Sequence, residues 1–200
     1  MAKRGVKRKL VAILAADVVS YSRLMRADEA GTLAEFNTHR KELIDPTFEA
    51  HDGRIVKTTG DGFLVEFASV VGAVECATDI QREMAARNAS VPEERRIDFR
   101  IGINLGDVII DGDDIYGDGV NIAARLEGLA EPGGICVSHP VYESVKDKIE
   151  HGFDDLGERL VKNIQTPVRM YRVRLDGKPA PTRRRARPMW IAGAALLLAA

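Results

Sequence analysis

The 200-residue chain reads as an α+β layer fold. Two observations predict it. Ile97, Phe99, Ile101, Ile103 and Leu105 alternate strictly with Asp98, Arg100, Gly102 and Asn104, which is the period of a strand with one buried face. The apparent elements run strand, helix, hairpin, helix, strand, helix and then short strands. That order lacks the regular strand–helix alternation of a doubly wound parallel sheet.

Taken in order, the first element has two readings. Lys3 to Lys9 followed by the apolar run Leu10–Ala16 resembles the basic and hydrophobic parts of a signal peptide. The run is only seven residues long and Asp17 closes it without a small-x-small cleavage pattern, so a buried strand fits better. From Asp28 to Ala50, Leu33, Phe36, Leu43, Ile44 and Phe48 fall near helical spacing, with Pro46 expected to break or kink the last turn. Arg54–Phe67 reads as two strands around Gly60-Asp61-Gly62, a hairpin signature. Val70, Val74, Ala77, Ile80 and Met84 mark a helix, followed by the polar stretch 87–94 and the strand already described. Asp111–Asp114 reads as an acidic loop. A helix is expected over 119–130, stopped by Pro132-Gly133-Gly134, with further strands at 135–138, 156–161 and 168–175. There is no internal repeat.

Composition excludes some functions. Twenty-nine basic and thirty acidic residues leave a net charge of −1, which rules out a generally basic nucleic-acid binder and a disordered polyelectrolyte. The charge is uneven: residues 1–9 carry +5, residues 176–200 carry +4, and the stretch between carries −10. An acidic surplus with no acidic tail raises the question of whether some carboxylates serve a cation. Two cysteines, Cys76 and Cys136, sixty residues apart, offer no disulfide framework and suit a reducing compartment.

The expected organisation is a basic segment over 1–8, a domain over 9–175, a Pro/Arg linker over 176–188 and an apolar segment over 189–200. A spanning helix needs about 20 apolar residues, so these twelve read as the start of a membrane helix; a free apolar tail or a partner-binding helix is the alternative. The adjoining arginines would stay on the cytoplasmic side, which puts the domain at the inner face of a membrane.

Four positions stand out chemically. Asp17 ends an apolar strand and Asp61 sits at a hairpin tip, and a carboxylate at the end of a buried strand is costly unless something pairs with it. Two such groups on neighbouring strands could hold Mg²⁺, which binds through one or two carboxylates plus phosphates. Equally, Asp-Gly is an ordinary turn, and Asp17 could cap a helix starting near Ser20. Asn121 and Arg125, four residues apart, share a helix face and suit a substrate with sugar hydroxyls and phosphate. Alternatively they bond nearby backbone or Glu127. Lys57 is expected near Asp61, where it could simply neutralise that carboxylate, and Lys162 alone means little.

The combination resembles a class III adenylate/guanylate cyclase catalytic domain over roughly Lys9–Leu175. The resemblance is carried by Ala16-Asp17-Val-Val-Ser-Tyr-Ser22, Val56-Lys57-Thr-Thr-Gly-Asp61-Gly-Phe63, Gly102-Ile-Asn-Leu-Gly-Asp107, Tyr116-Gly-Asp-Gly-Val-Asn121-Ile-Ala-Ala-Arg125 and Leu160-Val-Lys162. It departs from the usual pattern at Ala15, where an aromatic residue is common, and at Asn163, where glycine is usual.

The resemblance implies a ferredoxin-like layered fold whose central, mostly antiparallel sheet is flanked by helices. It implies an adenylate cyclase that makes 3′,5′-cyclic AMP and pyrophosphate from ATP with two divalent cations, Mg²⁺ or Mn²⁺. Asp17, Asp61 and the Val18 backbone carbonyl match metal ligands, and Lys57 and Asp114 match the purine-selecting pair, with a one-residue shift to Asp113 as the alternative. Asn121 matches the ribose-orienting residue, Arg125 the transition-state residue and Lys162 a triphosphate contact. Sites shared between two catalytic domains imply a homodimer. The alternatives are a non-catalytic dimerising or nucleotide-sensing module, and a guanylate cyclase.

Overall fold

The computed structural model describes residues 7–160, 164 and 166–176. Eight strands form one sheet: β1 (Lys7–Val18), β2 (Gly53–Thr59), β3 (Gly62–Phe67), β4 (Phe99–Asp111), β5 (Asp114–Tyr116), β6 (Ile135–Ser138), β7 (Gly152–Arg159) and β8 (Val168–Arg174). The helices are α1 (Tyr21–Ala27), α2 (Glu29–His39), α3 (Asp45–Ala50), α4 (Val70–Asn88), α5 (Asp118–Leu129) and α6 (His139–Val145). The strand order is β2-β3-β1-β4-β6-β8-β7, with β5 paired to β4 off this path. Every pairing is antiparallel except β4 with β6. The α+β architecture expected from the sequence is therefore present, and the β2-β3-β1-β4 half has the ferredoxin-like order.

β1 is central because its apolar run lets both faces be buried. Ala12, Leu14, Ala16 and Val18 enter the larger core beneath α2, α3 and α4, with Phe36, Phe48, Phe63, Phe67 and Phe99. Val11, Ile13 and Ala15 point the other way, to a second core with Val108, Ile115 and Ala123 of α5. Successive side chains on a strand alternate faces, so Asp17 belongs to the α5 side.

Several local expectations change. The helical stretch over 28–50 is α2, a π turn over Arg40–Ile44 and then α3, with α1 preceding it. Pro46 does not end the helix; it sits in the first turn of α3, directly after the π turn over Arg40–Ile44. Asp17 caps no helix. Ser20, in left-handed backbone at φ 55°, precedes α1 and makes no side-chain cap. Asp114 lies in a strand rather than in the acidic loop, and α6 and the α1 turn were not foreseen. The segments 1–6, 161–163 and 177–200, with the expected end of the strand at 161, Lys162, most of the linker and the apolar segment, lie outside the described residues. No described helix is long and apolar enough to cross a membrane.

Candidate active site

Asp17 is the penultimate residue of β1, and the β2–β3 turn brings Asp61 beside it. Thr59 pairs with Gly62, which leaves Gly60-Asp61 as a two-residue loop. Gly60 takes φ 63°, the first-position requirement of a tight hairpin turn that glycine meets without strain. Gly62 allows the close approach: a Cβ there would lie 3.0 Å from the Ala16 carbonyl oxygen and 3.7 Å from Asp17 Oδ1. The two carboxyl groups are near enough to share a proton. Asp61 is pushed up to about 6, by burial first and then by its hydrogen bond and repulsion with Asp17.

Arg100 was missed as a functional candidate. It stands directly opposite Asp17 in the β1–β4 register, and its Nη2 lies 3.1 Å from Asp17 Oδ2. The same Nη2 is 3.1 Å from Oε1 of Glu127 on α5. That second contact is an ion pair by distance but not a hydrogen bond, so buried Glu127 Oε1 lacks a hydrogen-bond partner among the described residues, as does Arg100 Nε. Burial pushes Glu127 up to about 7, against the pull of Arg100, while Asp17 and Asp61 add to the rise. The polar row Arg100, Gly102, Asn104 is thus the surface on which α5 sits. At Gly102 a Cβ would fall 2.1 Å from the Glu127 amide nitrogen, and Asn104 Nδ2 donates to the Gly119 carbonyl at 3.0 Å.

Lys57 pairs with Asp114 rather than with Asp61, Nζ to Oδ2 at 3.8 Å. A bulge in β2 makes this possible. Ile55 opposes Val65, but Lys57 opposes Leu64, so Val56 is the extra residue. In regular register Lys57 would oppose Phe63 and point into the aromatic core; the bulge turns it to the opposite face. Asp114 is held by the Tyr116 hydroxyl and the Ile115 amide, each donating at 2.9 Å, and both keep its carboxyl below the usual range. The preceding residue is anchored separately, because Arg54 Nη1 donates to the Asp113 carbonyl at 2.9 Å and Nε donates to Glu66 Oε1 at 3.0 Å. Of the two aspartates, Asp114 therefore presents its side chain to Lys57.

Asn121 and Arg125 are both exposed on α5, and neither makes a side-chain hydrogen bond or ion pair to a described residue. Glu127, the partner considered for them, is engaged with Arg100 instead. Val18 closes β1 and is buried. No hydrogen bond or ion pair links the Asp17–Asp61 pair to the Lys57–Asp114 pair. A cavity of about 820 Å³ opens elsewhere, between the N-terminus of α5 and the β7–β8 hairpin, and none of the expected site residues among those described lines it. Among the described residues no group of three or more His, Cys, Asp or Glu side chains forms a metal cage. The carboxyl pair is an open site with oxygen donors only, which suits a cation that takes further ligands from a substrate.

The layered α+β fold fixes the architecture, and comparison with known proteins makes the family assignment. The family model for the adenylate and guanylate cyclase catalytic domain matches residues 6–174, and the chain belongs to that family. A Rhizobium meliloti (strain 1021) protein named "Putative adenylate cyclase 3" is 49% identical over 171 residues, which cover 86% of this chain and 29% of that protein. The chain thus spans under a third of the length of this curated relative. Among solved structures, an adenylate/guanylate cyclase/hydrolase from Silicibacter pomeroyi is 47% identical with a TM-score of 0.80, covering 84% of this chain and 98% of that one. The adenylyl cyclase CyaB from P. aeruginosa is 26% identical with a TM-score of 0.74, over 84% and 95% of the two chains.

Proposed function

We propose that the domain converts ATP to 3′,5′-cyclic AMP and pyrophosphate. The observation that carries the choice of nucleotide is the Lys57–Asp114 pair, 3.8 Å apart and re-aimed by the β2 bulge. An ammonium donates to adenine N1, and a carboxylate held ionised by Tyr116 and Ile115 accepts from the 6-amino group. Guanine presents the reverse order, an acceptor at position 6 and a donor at position 1.

Asp17, Asp61 and the Val18 carbonyl would hold the divalent cations. The fit rests on the donor set and on the crowding of the two carboxyls, one of which keeps a proton up to about pH 6. When bound, Mg²⁺ or Mn²⁺ supplies Lewis-acid chemistry, activating the 3′-hydroxyl and neutralising phosphate charge. The 3′-oxygen bonds to the α-phosphorus as the bond to the β-phosphate oxygen breaks. Asn121 orients the ribose by hydrogen bonding. Arg125 donates to the α-phosphoryl oxygens as charge builds on them, and with no side-chain partner among the described residues its guanidinium is available for that task. Lys162 is assigned to the triphosphate on the family pattern.

The same reading includes a homodimer with two shared sites, each taking Asp17 and Asp61 from one protomer and the purine, ribose and arginine contacts from the other. The separation of the two polar clusters within one chain, and the exposure of Tyr116 beside Asp114, support it. Tethering to the inner face of a membrane rests on the composition of 176–200 alone. The test is to incubate the purified chain with ATP or GTP and Mg²⁺ or Mn²⁺ and separate the products. Cyclic AMP is expected. Preference for GTP overturns the Lys57–Asp114 assignment, and no cyclic product from either nucleotide overturns the enzyme reading.

A further inference from the structure

The geometry points to Glu127 as a positioning residue that acts through Arg100 to keep the Asp17 carboxylate available to a divalent cation. Arg100 holds one guanidinium nitrogen at 3.1 Å from each of two carboxylates, Asp17 on its own sheet and Glu127 on α5. A guanidinium placed beside a metal-ligating carboxylate competes with the metal for it and repels the ion directly. Glu127 in its carboxylate form answers both effects: it takes a share of the guanidinium's charge and returns a negative charge to the site. Its side chain is 14% exposed, so the interaction acts through protein rather than through water.

The backbone is built for this contact. The missing side chain at Gly102 lets α5 settle until the Glu127 amide nitrogen stands 2.1 Å from where a Cβ would be. The register that sets Arg100 opposite Asp17 then completes a line from helix to sheet to ligand. Partners of metal ligands typically change metal affinity by about 10- to 100-fold when removed, which sets the scale expected here.

The proposal rests on the metal reading given above, and the experiment separates the two. Mn²⁺ binding to the metal-free, nucleotide-free protein is titrated by the loss of the free-ion electron paramagnetic resonance signal. Glu127→Gln, close in size and neutral, is expected to weaken binding about tenfold. In an Arg100→Gln background the same substitution is expected to change affinity less than twofold, because the guanidinium it restrains is gone. Arg100→Lys, which keeps the charge but cannot divide it between two carboxylates, should also weaken binding, and it serves if Glu127→Gln does not fold. An equal loss in both backgrounds, or wild-type affinity in Glu127→Gln and Arg100→Lys, overturns the positioning role alone. Mn²⁺ affinity that survives Asp61→Ala overturns the carboxylate site itself, and the proposal with it.

Discussion

Gly102→Ala tests how far the site depends on the seating of α5. The added methyl would meet the Glu127 amide nitrogen at 2.1 Å, the Ala123 carbonyl oxygen at 2.3 Å and Glu127 Cα at 2.8 Å. Ordinary carbon–oxygen contact is about 3.5 Å, so the helix must retreat by roughly 1 Å, and no flexible side-chain end is available to yield instead. Overpacking of this kind costs about 1–3 kcal/mol. In a domain of this size that lowers Tm by roughly 2–4 °C per kcal/mol, a total of about 2–12 °C. The same retreat carries Asn121 and Arg125 with the helix and separates Glu127 from Arg100. A misplacement of about 1 Å at the reacting groups costs on the order of 100-fold in turnover. Thermal unfolding followed by circular dichroism and cyclic AMP formation at 25 °C measure the two effects on one preparation. Turnover within threefold of wild type alongside a lowered Tm would show that α5 does not set the catalytic geometry. An unchanged Tm would show that the close approach at Gly102 is not what holds the helix.

Two further outcomes follow from the carboxylates and from α5. Asp61 and Glu127 are raised to about 6 and about 7, so each adds stability that is full below its unfolded pKa and lost as pH rises through the folded value. The metal-free protein should therefore lose stability between about pH 4 and 7, and Mg²⁺ should raise Tm more at pH 8 than at pH 5.5; an equal rise at both would refute the carboxylate assignment. Arg125→Ala should lower turnover by about 100-fold while moving Tm by no more than about 1 °C, since the side chain has no partner among the described residues. Mixed in equal amounts with Asp61→Ala, it should recover roughly a quarter of wild-type activity, because half the dimers are mixed and each keeps one of two sites. A mixture that stays inactive while both variants dimerise removes the shared-site arrangement.

The site divides into what a linear pattern can carry and what only register can. Asp17, Asp61, Asn121 and Arg125 stand out as candidates because each sits at a signal that sequence encodes locally: a strand end, a glycine-flanked turn, an i,i+4 spacing. Those signals alone leave a structural reading open for each, and only the family resemblance assigns them roles. Arg100 and Glu127 do not stand out in this way. Arg100 lay in the clear alternation of 97–105, and its row was read simply as the other side of a half-buried strand. Gly102 and Asn104, buried on that same row, show that α5 covers it. Only the pairing of Asp17 with Arg100 reveals the contact, and register between strands eighty residues apart is set by packing rather than by local propensity. The glycine at 102 was the available hint, because a glycine inside a strand often marks a close backbone approach.

Lys57 shows the same limit from another direction. Its neighbours in sequence placed it near Asp61, and simple alternation from Ile55 would have sent it into the phenylalanine core beside Phe63. A charged lysine there would cost far more than a bulge, so the chain inserts Val56 and turns the ammonium to the other face. Val56 then packs against the smaller core with Leu64 and Val120, so the irregularity is anchored by apolar contact and does not depend on the Lys57–Asp114 ion pair. That separation matters for the chemistry. A largely exposed ion pair contributes little to stability, so on the proposed function Lys57 and Asp114 would give up their mutual contact to a purine edge without loosening the strand that presents them. The backbone that aims the pair is held by Val56, by the cross-strand pair of Arg54 with Glu66 and by Arg54 on the Asp113 carbonyl. The residues that hold the backbone are therefore not the two whose side chains form the ion pair.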